Sequence, residues 1–356
     1  MGAKQLPDRS QGEEESMKGK MHRRNFLQGS LAVLAAGQGA SLLAASPQAG
    51  QAGRPQQAGS GAPRGNLFPG FRTVDIKTSG ATIHAVVGGS GPPVILLHGY
   101  PQTHVMWHKV APRLAERFTV VAADLRGYGD SSKPPDGANH VNYSKRAMAQ
   151  DMVEVMTQLG FQKFHVVGHD KGVGVAKRMA LDHQAKVTQL AVFDSLPSGL
   201  HTYRNLTKEW ATGLYHWFFL AQPNPLPETL IGNSVEFYLR SRFQRSPGAI
   251  TPEAFAEYYR CFRNPATIHA TCEDYRASAS IDLENDEADW DKKITCPVLS
   301  LWAERGNRPP AFRNALQFWK EKAPDARGRE MRSNHFIPEE VPEETLAELR
   351  SFLTAA

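Results

Sequence analysis

Cysteine is scarce in this chain: three residues in 356, Cys261, Cys272 and Cys296, irregularly placed. That excludes a disulfide framework and a thiolate zinc site. Either a single Cys261–Cys272 pair or two buried free thiols fits the spacing. A charge excess over the body of the chain is missing too. The formal net charge is +5, but residues 1–66 hold eight Lys/Arg against four Asp/Glu, leaving 33 against 32 for the rest. A nearly neutral body carries no electrostatic footprint for nucleic acid. Internal repeats are absent, and low complexity is confined to the first 66 residues. "RGYGDSSKP" lacks a phosphate-binding lysine in loop order and reads as a turn. His104 and His108 have the i, i+4 spacing of a metal pair but no third ligand, so neither metal nor cofactor is expected.

What is present begins with a leader. "MHRRNFLQGSLAVLAAGQGASLLAASPQA" joins Arg23-Arg24, followed by Phe26 and Leu27, to a weakly apolar stretch interrupted by Gln38 and then to small residues. The apolar part is too short and broken for the ~20 residues of a membrane helix, and stable membrane insertion after processing is not expected. The pattern resembles a bacterial twin-arginine export signal over residues 1–46. Its partner would be the twin-arginine machinery and its destination the periplasm or exterior. No cysteine near the cleavage zone offers a lipid anchor, and residues 47–66, rich in Gly, Pro, Gln and Ala, read as a flexible linker.

From about Phe71 strands and helices alternate. "FRTVDIKT" and "ATIHAVV" suggest an opening hairpin; "PPVILLHG", "FTVVAADLRG", "KFHVVGHD", "VTQLAVFDS" and "CPVLSLWAERG" are short apolar runs ending in polar residues or glycine. Buried parallel strands have this character. Between them lie helical stretches such as "KRAMAQDMVEVMTQLG", with Met148, Met152, Val155 and Met156 on one face. The fold class expected is α/β, a mostly parallel sheet with helices on both faces. The alternation stops at residues 196–291, an aromatic- and Pro-rich segment too long for a structureless loop and read as an inserted helical cap. The core then comprises residues 67–195 and 292–356. Within the insertion, "ENDEADWDKK" reads as a solvated connection back to the core.

In such sheets reactive groups gather beyond the carboxyl ends of the strands. His98-Gly99, Asp170, Asp194 and His335 are placed there. "GHDKG" has the Gly-x-nucleophile-x-Gly form of a strand-to-helix elbow, with Asp170 in the position usually held by serine. The same position suits an ordinary N-cap aspartate. "HGYPQTHVMW" offers a loop whose backbone at Tyr100 can complete an oxyanion hole with the N–H of Lys171. His335, in "SNHFIPEE", lies where a general base belongs, and Asp194 closes the strand that can orient it, with Glu304 as the other acid in reach.

With these motifs and "DLRGYGDSSKP", "RMALDH", "YHWFFLAQPNPLPETLI", "CEDYRA" and "NHFIPEE", residues 68–354 resemble the α/β-hydrolase fold, and within it the fluoroacetate and haloacetate dehalogenase branch, related to epoxide hydrolases. The resemblance implies that Asp170 attacks the halogen-bearing carbon, forming an alkyl ester, and that His335, oriented by Asp194, activates water to release a hydroxy acid. It implies leaving-group contact by His216, Trp217 and Tyr275, residues that would also serve as cap packing. The branch carries one arginine just after its nucleophile and another three residues on, both gripping the substrate carboxylate. Here those positions are Lys171 and Gly174, so Lys171 is the candidate substrate cation and an uncharged substrate gains ground. Arg178 lies a further helical turn along.

Four readings stay open for the small-molecule substrate: haloacetate-type dehalogenation; epoxide opening, which needs two cap tyrosines, with Tyr275 one candidate and Tyr203, Tyr215, Tyr238, Tyr258 and Tyr259 the candidates for the second; ester or lactone hydrolysis; and ligand binding without turnover. Dimers are common among proteins of this kind, and nothing in the sequence decides for or against a homodimer.

Overall fold

Eight strands form one sheet in the order β1-β2-β4-β3-β5-β6-β7-β8. The computed structural model describes residues 66–306 and 308–354, besides the isolated Gly2; the leader and nearly all of the linker lie outside the described residues. β1 (Arg72–Lys77) and β2 (Thr82–Gly88) pair as an antiparallel hairpin, and β2 joins β4 (Thr119–Ala123) antiparallel. From there β3 (Pro93–Leu97), β5 (Phe164–His169), β6 (Val187–Phe193), β7 (Val298–Ala303) and β8 (Arg327–Met331) run parallel. Every residue of β5 and β7 is buried, as a strand covered on both faces requires.

The core helices are α1 (Ala111–Leu114), α2 (Lys145–Gln158) and α3 (Lys171–Asp182) before the insertion, and α12 (Ala315–Lys322), α13 (Ile337–Glu340) and α14 (Pro342–Leu353) after it. On α2, Met148, Met152, Val155 and Met156 are fully buried, so the apolar stripe read from the sequence is the face that meets the sheet. Between β6 and β7 the chain forms the helical cap: α4 (Gly199–Tyr203), α5 (Lys208–Gly213), α6 (Tyr215–Leu220), α7 (Leu226–Gly232), α8 (Val235–Phe243), α9 (Pro252–Phe262), α10 (Pro265–Ser278) and α11 (Ile281–Ala288). This is a mostly parallel α/β sheet with an inserted all-helical cap.

Two details differ from the sequence reading or resolve it. "ENDEADWDKK" is a solvated connection only in part: its first half is α11, and although most of the stretch is exposed, Asp286 and Asp289 are buried. Lys177 pairs with Asp286, and Arg178 with Asp289 at 2.7 Å, so the acids face core helix α3 instead of water. A charge run is taken for a solvated face when its partners are far off in sequence. Cys261 and Cys272 are both buried free thiols.

Candidate active site

The elbow is built by close backbone approach. Asp170 follows the last residue of β5 and precedes α3, with φ 50° and ψ −114°, a conformation disfavoured for a side-chain-bearing residue. Crowding explains the flanking glycines: a Cβ on Gly172 would lie 2.6 Å from the carbonyl oxygens of Leu97 and His98, and one on Gly99 would strike Asp170 itself. The Asp170 side chain makes no capping hydrogen bond to α3, which removes the N-cap explanation. Instead Oδ1 accepts the Tyr100 N–H at 2.8 Å, and Oδ2 lies 3.6 Å from His335 Nε2. Lys171 opens α3, so its N–H is a first-turn donor without a carbonyl partner in its own helix.

His335 sits in the loop between β8 and α13, and its Nδ1 lies 2.6 Å from Asp194 Oδ2. Asp194 follows β6 at φ 52°, and its Oδ1 accepts from the Ala303 N–H at 3.0 Å and from Arg308 at 2.8 Å. Glu304 is exposed and makes no contact with the imidazole. Glu340 fixes the loop: its carboxylate accepts the backbone N–H groups of Asn334 at 2.7 Å and Phe336 at 3.0 Å. From the other side, His169 Nε2 donates to the His335 carbonyl at 2.7 Å.

These contacts set the charges. Burial opposes ionisation of Asp170, but His335 and the Tyr100 N–H outweigh it and hold the carboxyl well below the usual carboxylate range. Burial likewise disfavours Asp194, and Arg308 with His335 overcomes it in the same direction. For His335, burial works against the cation, yet the two carboxylates raise it to about 10. At neutral pH the free site is therefore an anion–cation–anion row.

A cavity of about 450 Å³ opens between the strand ends and the cap, lined by Asp170, Asp194, His335, Tyr100, His216 and Trp217 among others. His216 stacks on Tyr100, ring centroids 6.3 Å apart, and its buried Nδ1 has no hydrogen-bond partner among the described residues. Burial, reinforced by the charge of Arg242, pushes its pKa well down and keeps it neutral. Tyr275 is placed behind this wall: it is buried, edge-on to Tyr100 at 5.2 Å and to His216 at 5.8 Å, and does not line the cavity. Neither does Lys171. Its ammonium turns into the cap junction, 2.8 Å from Ser278 Oγ, 3.5 Å from Asp274 and 3.5 Å above the Tyr275 ring. Of the six cap tyrosines, only Tyr215 lines the cavity.

Sequence reasoning missed His169, Glu340 and Arg308, which hold the triad, and Arg242, Arg245 and Arg305, which line the cavity. His169, beside the nucleophile, was visible in "GHDKG". The arginines were not, because nothing in their local sequence separates a cation turned toward a cavity from one turned to solvent.

Residues 92–341 match the family model for the α/β-hydrolase fold. The chain is 42% identical over 294 residues to fluoroacetate dehalogenase from Burkholderia sp., covering 82% of this chain and 96% of that protein. It is 36% identical over 273 residues to soluble epoxide hydrolase from Corynebacterium sp. strain C12, covering 74% and 91%. A crystal structure of an α/β-hydrolase candidate from Nostoc sp. PCC 7120 superposes with a TM-score of 0.77 at 54% identity, covering 80% of this chain and 99% of that one. The protein belongs to the α/β-hydrolase fold family, in its branch of haloacetate dehalogenases and epoxide hydrolases.

Proposed function

We propose that the protein hydrolyses a haloacetate-like compound to a hydroxy acid through an alkyl ester on Asp170. The observation that carries this reading is the disposition of the Asp170 carboxylate. It is withdrawn from helix capping, with Oδ1 on the Tyr100 N–H and Oδ2 toward the cavity and His335. Oδ2 attacks the carbon, the carbon–halogen bond breaks, and the halide leaves with the bonding pair. The neutral His216, with its unpartnered Nδ1, and Trp217 line the space where that charge develops. Esterification removes one of the two anions that raise His335, so its pKa falls and it releases its proton. Nε2 then accepts a proton from water, whose oxygen adds to Asp170 Cγ while Oδ1 takes up charge beside the Tyr100 N–H. Collapse breaks the bond from Cγ to the substrate oxygen, and the imidazolium returns the proton to the departing alkoxide. A serine ether formed at the same carbon would have no carbonyl for water to attack.

Likeness to an epoxide hydrolase makes ring opening the second reading. It is weaker because two tyrosines must protonate the epoxide oxygen and only Tyr215 of the cap lines the cavity. The test supplies chloroacetate, fluoroacetate and styrene oxide to the mature protein and follows halide and diol. Halide release is expected, abolished in Asp170→Asn, with the substrate's added mass accumulating on Asp170 in His335→Asn. Diol without halide would establish the second reading, and no adduct from any substrate would point to a ligand-binding protein.

We further propose that the precursor is exported by the twin-arginine pathway, a reading supported by Arg23-Arg24 and the small-residue stretch after them.

A further inference from the structure

The two positions that carry carboxylate-gripping arginines in the resembling branch have been rebuilt as a structural cluster. The Lys171 ammonium is held by Ser278 and Asp274, and Asp274 also takes Lys145 and the Tyr128 hydroxyl at 2.6 Å. At Gly174 a Cβ would meet the aliphatic chain of Lys145 at 3.0–3.2 Å, so Lys145 fills the space a longer side chain there would need. Neither position can present a cation to the cavity.

The cavity wall is nevertheless cationic. Its charged lining is four arginines, Arg242, Arg245, Arg305 and Arg308, and the His335 cation, which lies between the two carboxylates Asp170 and Asp194. Arg308 is committed to Asp194 at 2.8 Å, and Arg245 and Arg305 are exposed at the rim. Arg242, on α8, is different: it is part-buried, and its guanidinium lies 4.9 Å from the Tyr215 ring centroid and 5.7 Å from that of Tyr238. Its Nε is buried without a hydrogen-bond partner, and no carboxylate pairs with it among the described residues. A buried N–H left without a partner costs free energy unless an acceptor reaches the guanidinium that carries it. A carboxylate is the ligand whose geometry matches its planar fork. Arg242 and His216 line the same cavity, and the charge of Arg242 helps to keep His216 neutral. Size points the same way: about 450 Å³ far exceeds a haloacetate of five non-hydrogen atoms, about the volume of a few waters at roughly 30 Å³ each.

We infer that Arg242, reaching in from the cap, is the anion-binding residue of this cavity, and that the substrate is a carboxylate with an apolar body larger than a two-carbon acid, lying against Tyr215, Trp210 and Trp217. This rests on the hydrolase reading above for the reaction but not for the binding. The binding test therefore uses unreactive probes on the unmodified protein. By calorimetry, phenylacetate is expected to bind about 10- to 100-fold tighter than phenylacetamide, the factor carried by a charge-assisted hydrogen bond, and tighter than acetate. Arg242→Gln should abolish the preference for the acid, and Arg242→Lys should keep part of it. Equal binding of acid and amide, or a preference intact in Arg242→Gln, overturns the inference; equal binding of acetate and phenylacetate overturns the larger body. If Arg242→Gln fails to fold by circular dichroism, Arg242→Lys decides, since an unchanged preference there removes the fork. In turnover of 2-chloro-3-phenylpropanoate, the Arg242 variants should raise KM with little change in kcat. Absent halide release with the acid preference intact would sink the hydrolase reading alone.

Discussion

At Asp170 a single carboxylate is pulled out of its local role. An aspartate at a helix start ordinarily accepts from the first-turn N–H groups, but the strained φ of 50° carries its side chain to the Tyr100 N–H and toward His335. The electrostatic consequence is measurable. His335 is raised to about 10 by Asp170 and Asp194 acting against burial. Folded His335 keeps a proton above its ordinary 6.5 that the unfolded chain has lost. Its contribution to stability is therefore complete below pH 6.5 and disappears as the pH climbs through about 10. Asp170→Asn removes one of the two anions, so the titration of the His335 imidazole, followed by NMR, is expected to move down and that window to narrow. An unchanged titration would remove the account of how esterification frees the base.

Elements meet at this site through charge pairs that cross from cap to core. Asp274 on α10 draws in Lys145 of α2 and Lys171 of α3, while α11 sends Asp286 to Lys177 and Asp289 to Arg178. Asp274→Ala leaves two buried ammonium groups without their anion and should cost about 3–5 kcal/mol in urea unfolding; a loss below about 1 kcal/mol would mean that Lys171 finds water instead. Seven of the eight strands and the Met-lined face of α2 were legible in the sequence because alternation and 3.6-residue spacing are local properties; β8, with the mostly exposed sequence "RGREM", was not. So were the chain positions of Asp170, Asp194 and His335. The clamps on His335 were not: Glu340 reads as one more helix-start acid, and Arg308 as one loop cation among several, until β7, β8 and α13 are side by side.

For the whole molecule, the first 66 residues and the body differ in charge and composition. Residues 1–66 hold nearly all of the excess positive charge, which is the charge pattern the proposed export signal calls for. Replacing both Arg23 and Arg24 by lysine is expected to keep the protein in the cytoplasm, read by fractionation of cells expressing each form; unchanged export would exclude the twin-arginine route. The body is a sheet with a cap, and the boundary between them is where chemistry and specificity separate. The strand ends bring Asp170, Asp194 and His335 to the cavity, whereas the cap brings His216, Trp217 and Arg242. The sequence by itself determined the fold and the order of the reacting groups, because hydrophobic period and turn chemistry act between near neighbours along the chain. Only the tertiary structure decided which cations face the cavity. Lys171 is drawn away by Asp274, more than a hundred residues distant, and Arg242 is left facing the cavity because no carboxylate among the described residues folds against it. Pairing of that kind depends on which helices pack together, and helical spacing within one segment carries no record of it.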